Sequence, residues 1–111
     1  MKILVVCGAG ASSTFVAQRL RHAAQRQGMD LLVEAGIPGM VATGVDAGDV
    51  VLVGPHLASA LSDVEQDAAA RRARVVLLPE DIFGDRDGTR ALALVTAAAP
   101  DAAAPIERTP R

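Results

Sequence analysis

The chain predicts a parallel α/β fold: a four-stranded parallel sheet in the order 2-1-3-4, with helices on both faces and an anion-binding loop after the first strand. Three observations predict it. Short apolar runs alternate with stretches of helical period along the 111 residues. Ile3-Leu4-Val5-Val6 and Val50-Val51-Leu52-Val53 are unbroken, as strands covered on both faces require. Strands separated by helices pair through right-handed crossovers, which leaves few topologies. The chosen order puts a switch point between strands one and three, outside whose C-terminal ends such folds bind ligands.

The first strand is expected over Lys2 to Val6, and the loop Cys7-Gly8-Ala9-Gly10-Ala11-Ser12-Ser13-Thr14 follows. Ser12 or Ser13 suits a helix N-cap, and the helix is expected over Phe15 to Gln27. Val16, Leu20 and Ala23/Ala24 fall on its inner face, His22 faces solvent, and Gly28 supplies a left-handed stop. The second strand is Leu31 to Ala35, with Glu34 at its surface end, and the segment from Met40 to Gly48 holds a short helical turn. Asp49 to Val53 is the third strand, broken by Gly54-Pro55-His56. A second helix follows from Leu57 to Ala70, with Leu57, Ala60, Leu61, Val64 and Ala68 inward. Val75 to Leu78 is the fourth strand and Glu80 to Gly84 a loop. Asp87 is expected to cap a last helix from Gly88 to Ala99, with Leu92 and Val95 inward and Pro100 as its stop. One domain is expected over residues 1–99, and residues 100–111, with no apolar period, read as a disordered tail.

Composition removes several function classes. The formal charge is −2, and the only aromatic residues are Phe15 and Phe83, so neither a basic surface nor stacking platforms point to nucleic acid. No apolar run approaches the ~20 residues of a membrane span, and the run before Cys7 is too short for a signal-peptide core. A cytoplasmic protein without membrane insertion is expected. One cysteine and two histidines, His22 and His56, argue against a disulfide framework or a zinc site, and neither metal nor cofactor is expected. Arg19, Arg21 and Arg26 on the first helix suit docking of an acidic or phosphorylated partner; Arg71, Arg72 and Arg74 read as a solvated helix end.

The chemistry concentrates at Cys7. Glycines let the backbone approach an anion, and the unpartnered N–H groups of a helix N-terminus favour negative charge. The same field is expected to make Cys7 more acidic than a free thiol, and a nucleophile. Backbone N–H groups from Gly8, Ala9, Gly10, Ala11, Ser12 and Ser13, with the hydroxyls of Ser12, Ser13 and Thr14, would hold a phosphoryl group. The plain alternative is a buried structural cysteine in a tight turn. Gly8-x-Gly10-x-x-Ser13 is a weak match to a dinucleotide fingerprint. A cysteine phosphatase or arsenate reductase would need an arginine at position 13, to clamp phosphate and stabilise its transition state, and Ser13 stands there. A loop without that arginine suits carrying a phosphoryl group rather than hydrolysing it.

These residues resemble the enzyme IIB component of the bacterial phosphoenolpyruvate-dependent sugar phosphotransferase system, in its lactose/cellobiose (chitobiose) class. The resemblance runs over about residues 2 to 99. It is carried by Cys7-x-Ala9-Gly10-x-Ser12-Ser13-Thr14, Glu34-Ala35, Asp49-Val50-Val51-Leu52-Val53-Gly54-Pro55-His56, and Phe83-Gly84-Asp85-Arg86-Asp87-Gly88. Ala11 replaces a frequent methionine, His56 a glutamine and Phe83 a tyrosine. The resemblance implies that Cys7 accepts a phosphoryl group from a phosphohistidine of a IIA partner. It would then pass the group to a sugar, a disaccharide in this class, held by the membrane-embedded IIC transporter. Both exchanges require an exposed loop, with Pro55 and His56 beside it. His56 reads as a donor to the phosphate or a partner contact, or as a solvent-facing residue at a helix start. A regulatory or ligand-binding module that kept the fold and lost the relay is the rival reading.

Overall fold

The computed structural model describes residues 1–7 and 10–99, and of residues 10–12 the backbone alone. The expected tail, and the Pro100 stop, lie outside the described residues. Four strands form one sheet: β1 (Lys2–Val6), β2 (Leu32–Gly36), β3 (Val50–Val53) and β4 (Arg74–Leu77). Their order is β2-β1-β3-β4, and every pairing is parallel, with Ile3 opposite both Val33 and Val50.

Four α-helices cover the sheet: α1 (Gly10–Arg26), α2 (Val41–Gly44), α3 (Leu61–Ala70) and α4 (Thr89–Ala98). Alternate strand residues divide the core between the two faces. Ile3, Val5, Val33, Val50 and Leu52 pack with Val16, Leu20, Ala23 and Ala24 of α1 and Leu92 and Val95 of α4. Leu4, Val6, Val51 and Val53 pack with Val41, Val64 and Ala68 on the opposite face. Each central strand is thus apolar on both sides, as its unbroken sequence implied.

Two helices depart from their expected limits. The first begins at Gly10, so Ser13 and Thr14 lie inside α1 and neither Ser12 nor Ser13 is an N-cap. First-turn N–H groups have no intrahelical partner, so residues that otherwise compete with the helix backbone are tolerated there. The expected helix from Leu57 to Ala70 is two pieces, a 3₁₀ segment at Pro55–Ala60 and then α3, because Leu57 has non-helical angles (φ −105°, ψ 23°). Proline fixes the entry at Pro55, and the Leu57 amide donates to the Gly54 carbonyl at 3.0 Å, closing a tight turn before the α-helix begins.

The ends of α1 and α3 use one device. Met29 N donates to Ala24 O (2.9 Å) and Gly28 N to Gln25 O (3.1 Å), with Gly28 at φ +70°, as expected. After α3, Ala73 N donates to Ala68 O (2.9 Å) and Arg72 N to Ala69 O (3.0 Å), but Arg72 holds the left-handed position at φ +61°. The cap of α4 is also not where the sequence put it. The buried Asp85 carboxylate accepts from Arg90 N (3.1 Å) and Ala91 N (3.0 Å), the second and third helical amides. Asp87 takes only the first, from Thr89 N (3.2 Å), together with the Thr89 hydroxyl. Asp85 reaches further because the chain between it and the helix turns back at Gly88, whose φ is +78°.

Among the described residues no helix is long and apolar enough to cross a membrane.

Candidate functional site

Cys7 follows the last residue of β1, and its side chain continues the face set by Ile3 and Val5. It is a free thiol, only 4% exposed, in the cluster that includes Val16 and Ile82. The sulfur is therefore buried, as in the plain alternative reading, while the exposure expected of the loop falls on residues 8–12, outside the side chains described. Strand alternation carries Cys7 toward the α1–α4 layer. The β3 end closes over it: Gly54 N donates to Val6 O at 2.8 Å, extending the β1–β3 ladder one step past Val53. A Cβ at Gly54 would stand 2.7 Å from Cys7 Sγ and 3.3 Å from its Cβ. Glycine is needed here for space, since φ −63°, ψ 150° is open to any residue.

The electrostatic expectation changes with the burial. Desolvation disfavours a thiolate and pushes the Cys7 thiol up, while a backbone hydrogen bond at Gly54 pulls it down, and burial prevails. The expected acidic thiol is thus replaced by one held in its neutral form.

Of the other residues singled out in the sequence, Gly8 and Ala9 lie outside the described residues, as do the side chains of Gly10, Ala11 and Ser12. The backbone of Gly10, Ala11 and Ser12 forms the first turn of α1, so a helix N-terminus does follow Cys7 closely. Ser13 is buried and Thr14 exposed on that helix. Pro55 is half-buried at the start of the 3₁₀ segment, and His56 is exposed. The His56 ring stacks on Phe83, with centroids 5.9 Å apart and planes inclined by 14°. Three loops therefore converge at the C-terminal edge of β1 and β3: the start of α1, the Gly54–His56 turn and the 3₁₀ turn Ile82–Gly84.

Arginines of α1 join these loops to the fold. Arg19 Nη1 donates to Phe83 O at 3.0 Å, Arg21 Nη2 to Val33 O at 2.6 Å, and Arg26 Nη2 to Asp87 O at 2.7 Å. All three residues suggested for partner docking are thus engaged with the chain's own carbonyls. Arg19 also lies over the ring of Phe15, 5.9 Å from its centroid, and Phe15 is 56% exposed. Arg71, in the second group, donates to Val45 O (3.0 Å) and pairs with Asp46 (3.5 Å). Glu34 is half-buried and pairs with Lys2 at 3.3 Å.

Sequence reasoning assigned Arg19 only to partner docking and Gly54 only to the break after the third strand, and it gave Phe83 and Asp85 no separate role. Gly54 had a signal, the Gly-Pro break at the end of an apolar strand. The contacts of Arg19 and Phe83 span 64 residues of sequence, and no local pattern encodes them.

A free cysteine at the switch point of a parallel α/β sheet, a few residues before a helix N-terminus, defines a class of α/β domain with a thiol at the edge where such sheets bind ligands. Within that class, residues 2–94 match the family model of the PTS system, Lactose/Cellobiose specific IIB subunit. The chain belongs to that family. A solved structure of similar fold is the lactose-specific IIB component domain of the phosphoenolpyruvate:carbohydrate phosphotransferase system from Streptococcus pneumoniae. It aligns with a TM-score of 0.72 and 20% sequence identity, over 88% of this chain and 96% of that one. No curated protein sequence matches the chain.

Proposed function

We propose that this IIB component is a cytoplasmic phosphoryl carrier in which Cys7 takes a phosphoryl group from a phosphohistidine of a IIA protein and delivers it to a sugar bound to a membrane-embedded IIC transporter. The observation that supports this most directly is Cys7 itself, a lone free thiol at the C-terminal end of β1, adjacent to the first turn of α1. In a member of a phosphotransferase family, that is where a nucleophile meets backbone N–H groups able to stabilise phosphoryl oxygens.

The chemistry accommodates a neutral resting thiol. In the first step an S–P bond forms and the N–P bond of the donor histidine breaks. The thiol proton leaves for the departing imidazole nitrogen. In the second, the S–P bond breaks, an O–P bond forms on a sugar hydroxyl, and the hydroxyl proton returns to sulfur. Burial disfavours the Cys7 thiolate in the resting domain, so attack on the donor phosphorus is coupled to loss of the thiol proton to the departing imidazole. Ser13 at the position a phosphatase would give to arginine suits retention of the phosphoryl group over hydrolysis. The loop Gly8 to Ser12, with Ser13 and Thr14, would cradle the group, and Pro55 and His56 would border it. The acceptor class is a disaccharide, and the domain would meet the membrane only by docking on IIC.

Incubation with phosphoenolpyruvate, the general phosphotransferase proteins and a IIA proven active on another IIB should add one phosphate, seen by intact mass. Cys7→Ser should abolish sugar phosphorylation. A wild-type chain that stays unmodified under those conditions would overturn the relay and favour a regulatory module of the same fold.

A further inference from the structure

We propose that Arg19 is a positioning residue for Cys7, acting through the Phe83–His56 stack on the turn that covers the sulfur. Four contacts make the connection. Arg19 Nη1 holds the Phe83 carbonyl at 3.0 Å. The Phe83 ring stacks on His56 at 5.9 Å, within the range of offset aromatic pairs. His56 lies in the same tight turn as Gly54, which the Leu57 amide closes onto the Gly54 carbonyl at 3.0 Å. Gly54 in turn packs so closely on Cys7 that a Cβ there would stand 2.7 Å from the sulfur.

Arg19 is itself fixed at two further points. Its guanidinium lies over Phe15 at 5.9 Å, a cation–π distance. Its own carbonyl is met by Gly88, where a Cβ would come within 2.1 Å, so the entry to α4 packs directly on this residue. Phe83, between Arg19 and His56, is anchored by the buried Ile82 beside it and by the half-buried face it adds to the α1–α4 core. The side chain that ties the Ile82–Gly84 turn to α1 thus sets where the Phe83 ring stands. The ring sets the resting place of His56, and the His56 turn decides how tightly Gly54 closes on the thiol. Arg19 touches no reacting atom in this scheme.

The inference uses the reading of Cys7 as the phosphoryl acceptor for its consequence, but its structural part is testable without it. Arg19→Met keeps the aliphatic stem and removes the donors, Arg19→Lys keeps one donor, and Phe83→Leu keeps the backbone acceptor while removing the ring. Loss of a hydrogen bond of ordinary net strength shifts a local opening equilibrium by about twofold to tenfold. Cys7 alkylation by iodoacetamide at fixed pH should therefore accelerate by about fivefold in Arg19→Met and in Phe83→Leu, and stay near wild type in Arg19→Lys. The His56 ring protons should lose their Phe83 ring-current shift in both accelerated variants. Phosphoryl acceptance from an active IIA should fall in kcat by about tenfold or more with KM unchanged, as misplacement of a reacting atom requires.

A rise in KM alone would overturn the proposal and make Arg19 a docking residue. Unchanged alkylation and unchanged His56 resonances in Arg19→Met would also overturn it. Should Arg19→Met not fold, Phe83→Leu decides by the same two readouts. If wild type accepts no phosphate at all, the carrier reading falls, while alkylation and the His56 resonances still judge Arg19.

Discussion

Gly54→Ala tests the packing on which the site depends. The backbone at Gly54 (φ −63°, ψ 150°) accepts alanine without strain, so the change should by itself be neutral or stabilising by about 0.4–1 kcal/mol through the unfolded chain. The new methyl, however, would meet Cys7 Sγ at 2.7 Å, Cβ at 3.3 Å and Cα at 3.4 Å. Ordinary contact is ~3.5–4.0 Å, so the sulfur and the turn must separate by about 1 Å. Overpacking on that scale costs about 1–3 kcal/mol, which reverses the sign expected from the backbone. A shift of about 1 Å at a reacting atom also lowers its chemistry by about 10²-fold. Urea unfolding of Gly54→Ala should give a lower midpoint with an unchanged slope, and phosphoryl acceptance should fall in parallel. Gly39→Ala is the control, since no atom lies within 4 Å of its Cβ position. Cys7→Ala added to Gly54→Ala should recover much of the loss, because the closest atom is gone. If Gly54→Ala is as stable as wild type, or if the double variant shows no coupling, Gly54 does not close on the sulfur and the reasoning fails.

Four further outcomes follow from the same packing and hydrogen bonds. Cys7 alkylation should rise with pH to a midpoint above the ~8.5 of a free thiol, since burial disfavours the thiolate; by linkage Cys7 contributes stability below that ordinary value, and the contribution is lost as pH rises through the raised one. Asp85→Ala should cost about 1–2 kcal/mol in urea unfolding, as loss of an N-cap does, and more than Asp87→Ala, because Asp85 serves two helical amides. The Thr89 hydroxyl and amide hold Asp87 below the usual carboxylate range, so its smaller share is present above that range, is lost as pH falls through the depressed pKa, and should vanish from the acid profile of Asp87→Asn. Arg72→Gly should stabilise the chain by about 0.5–1 kcal/mol in thermal unfolding, since relief of a left-handed arginine exceeds glycine's entropic cost; no gain would mean that the Arg72 conformation is unstrained.

Cys7 is buried rather than open at the sheet edge. The sulfur sits under Gly54, in the same turn as His56, whose ring stacks on Phe83. On α1 the exposed Phe15 ring lies under the Arg19 guanidinium.

Sheet order, strand identity and the position of Cys7 were legible from the sequence alone. Ile3 to Val6 and Val50 to Val53 can only be satisfied by cover on both faces, and a cysteine directly after the first of them must fall at the ligand edge of a parallel sheet. Helix limits were less legible. The hydroxyls before Phe15 suit a cap and a first turn equally, and proline permits either helix type after it. What only the tertiary structure decided was the environment of the thiol. Strand alternation aims Cys7 inward, Gly54 from another strand closes over it, and desolvation then outweighs the loop effects that suggested an acidic thiol. The same holds for Arg19, whose charge looked available on a helix surface and is spent on a carbonyl 64 residues away. Local pattern reports which face a residue takes; burial and polar partners depend on what distant chain packs against that face.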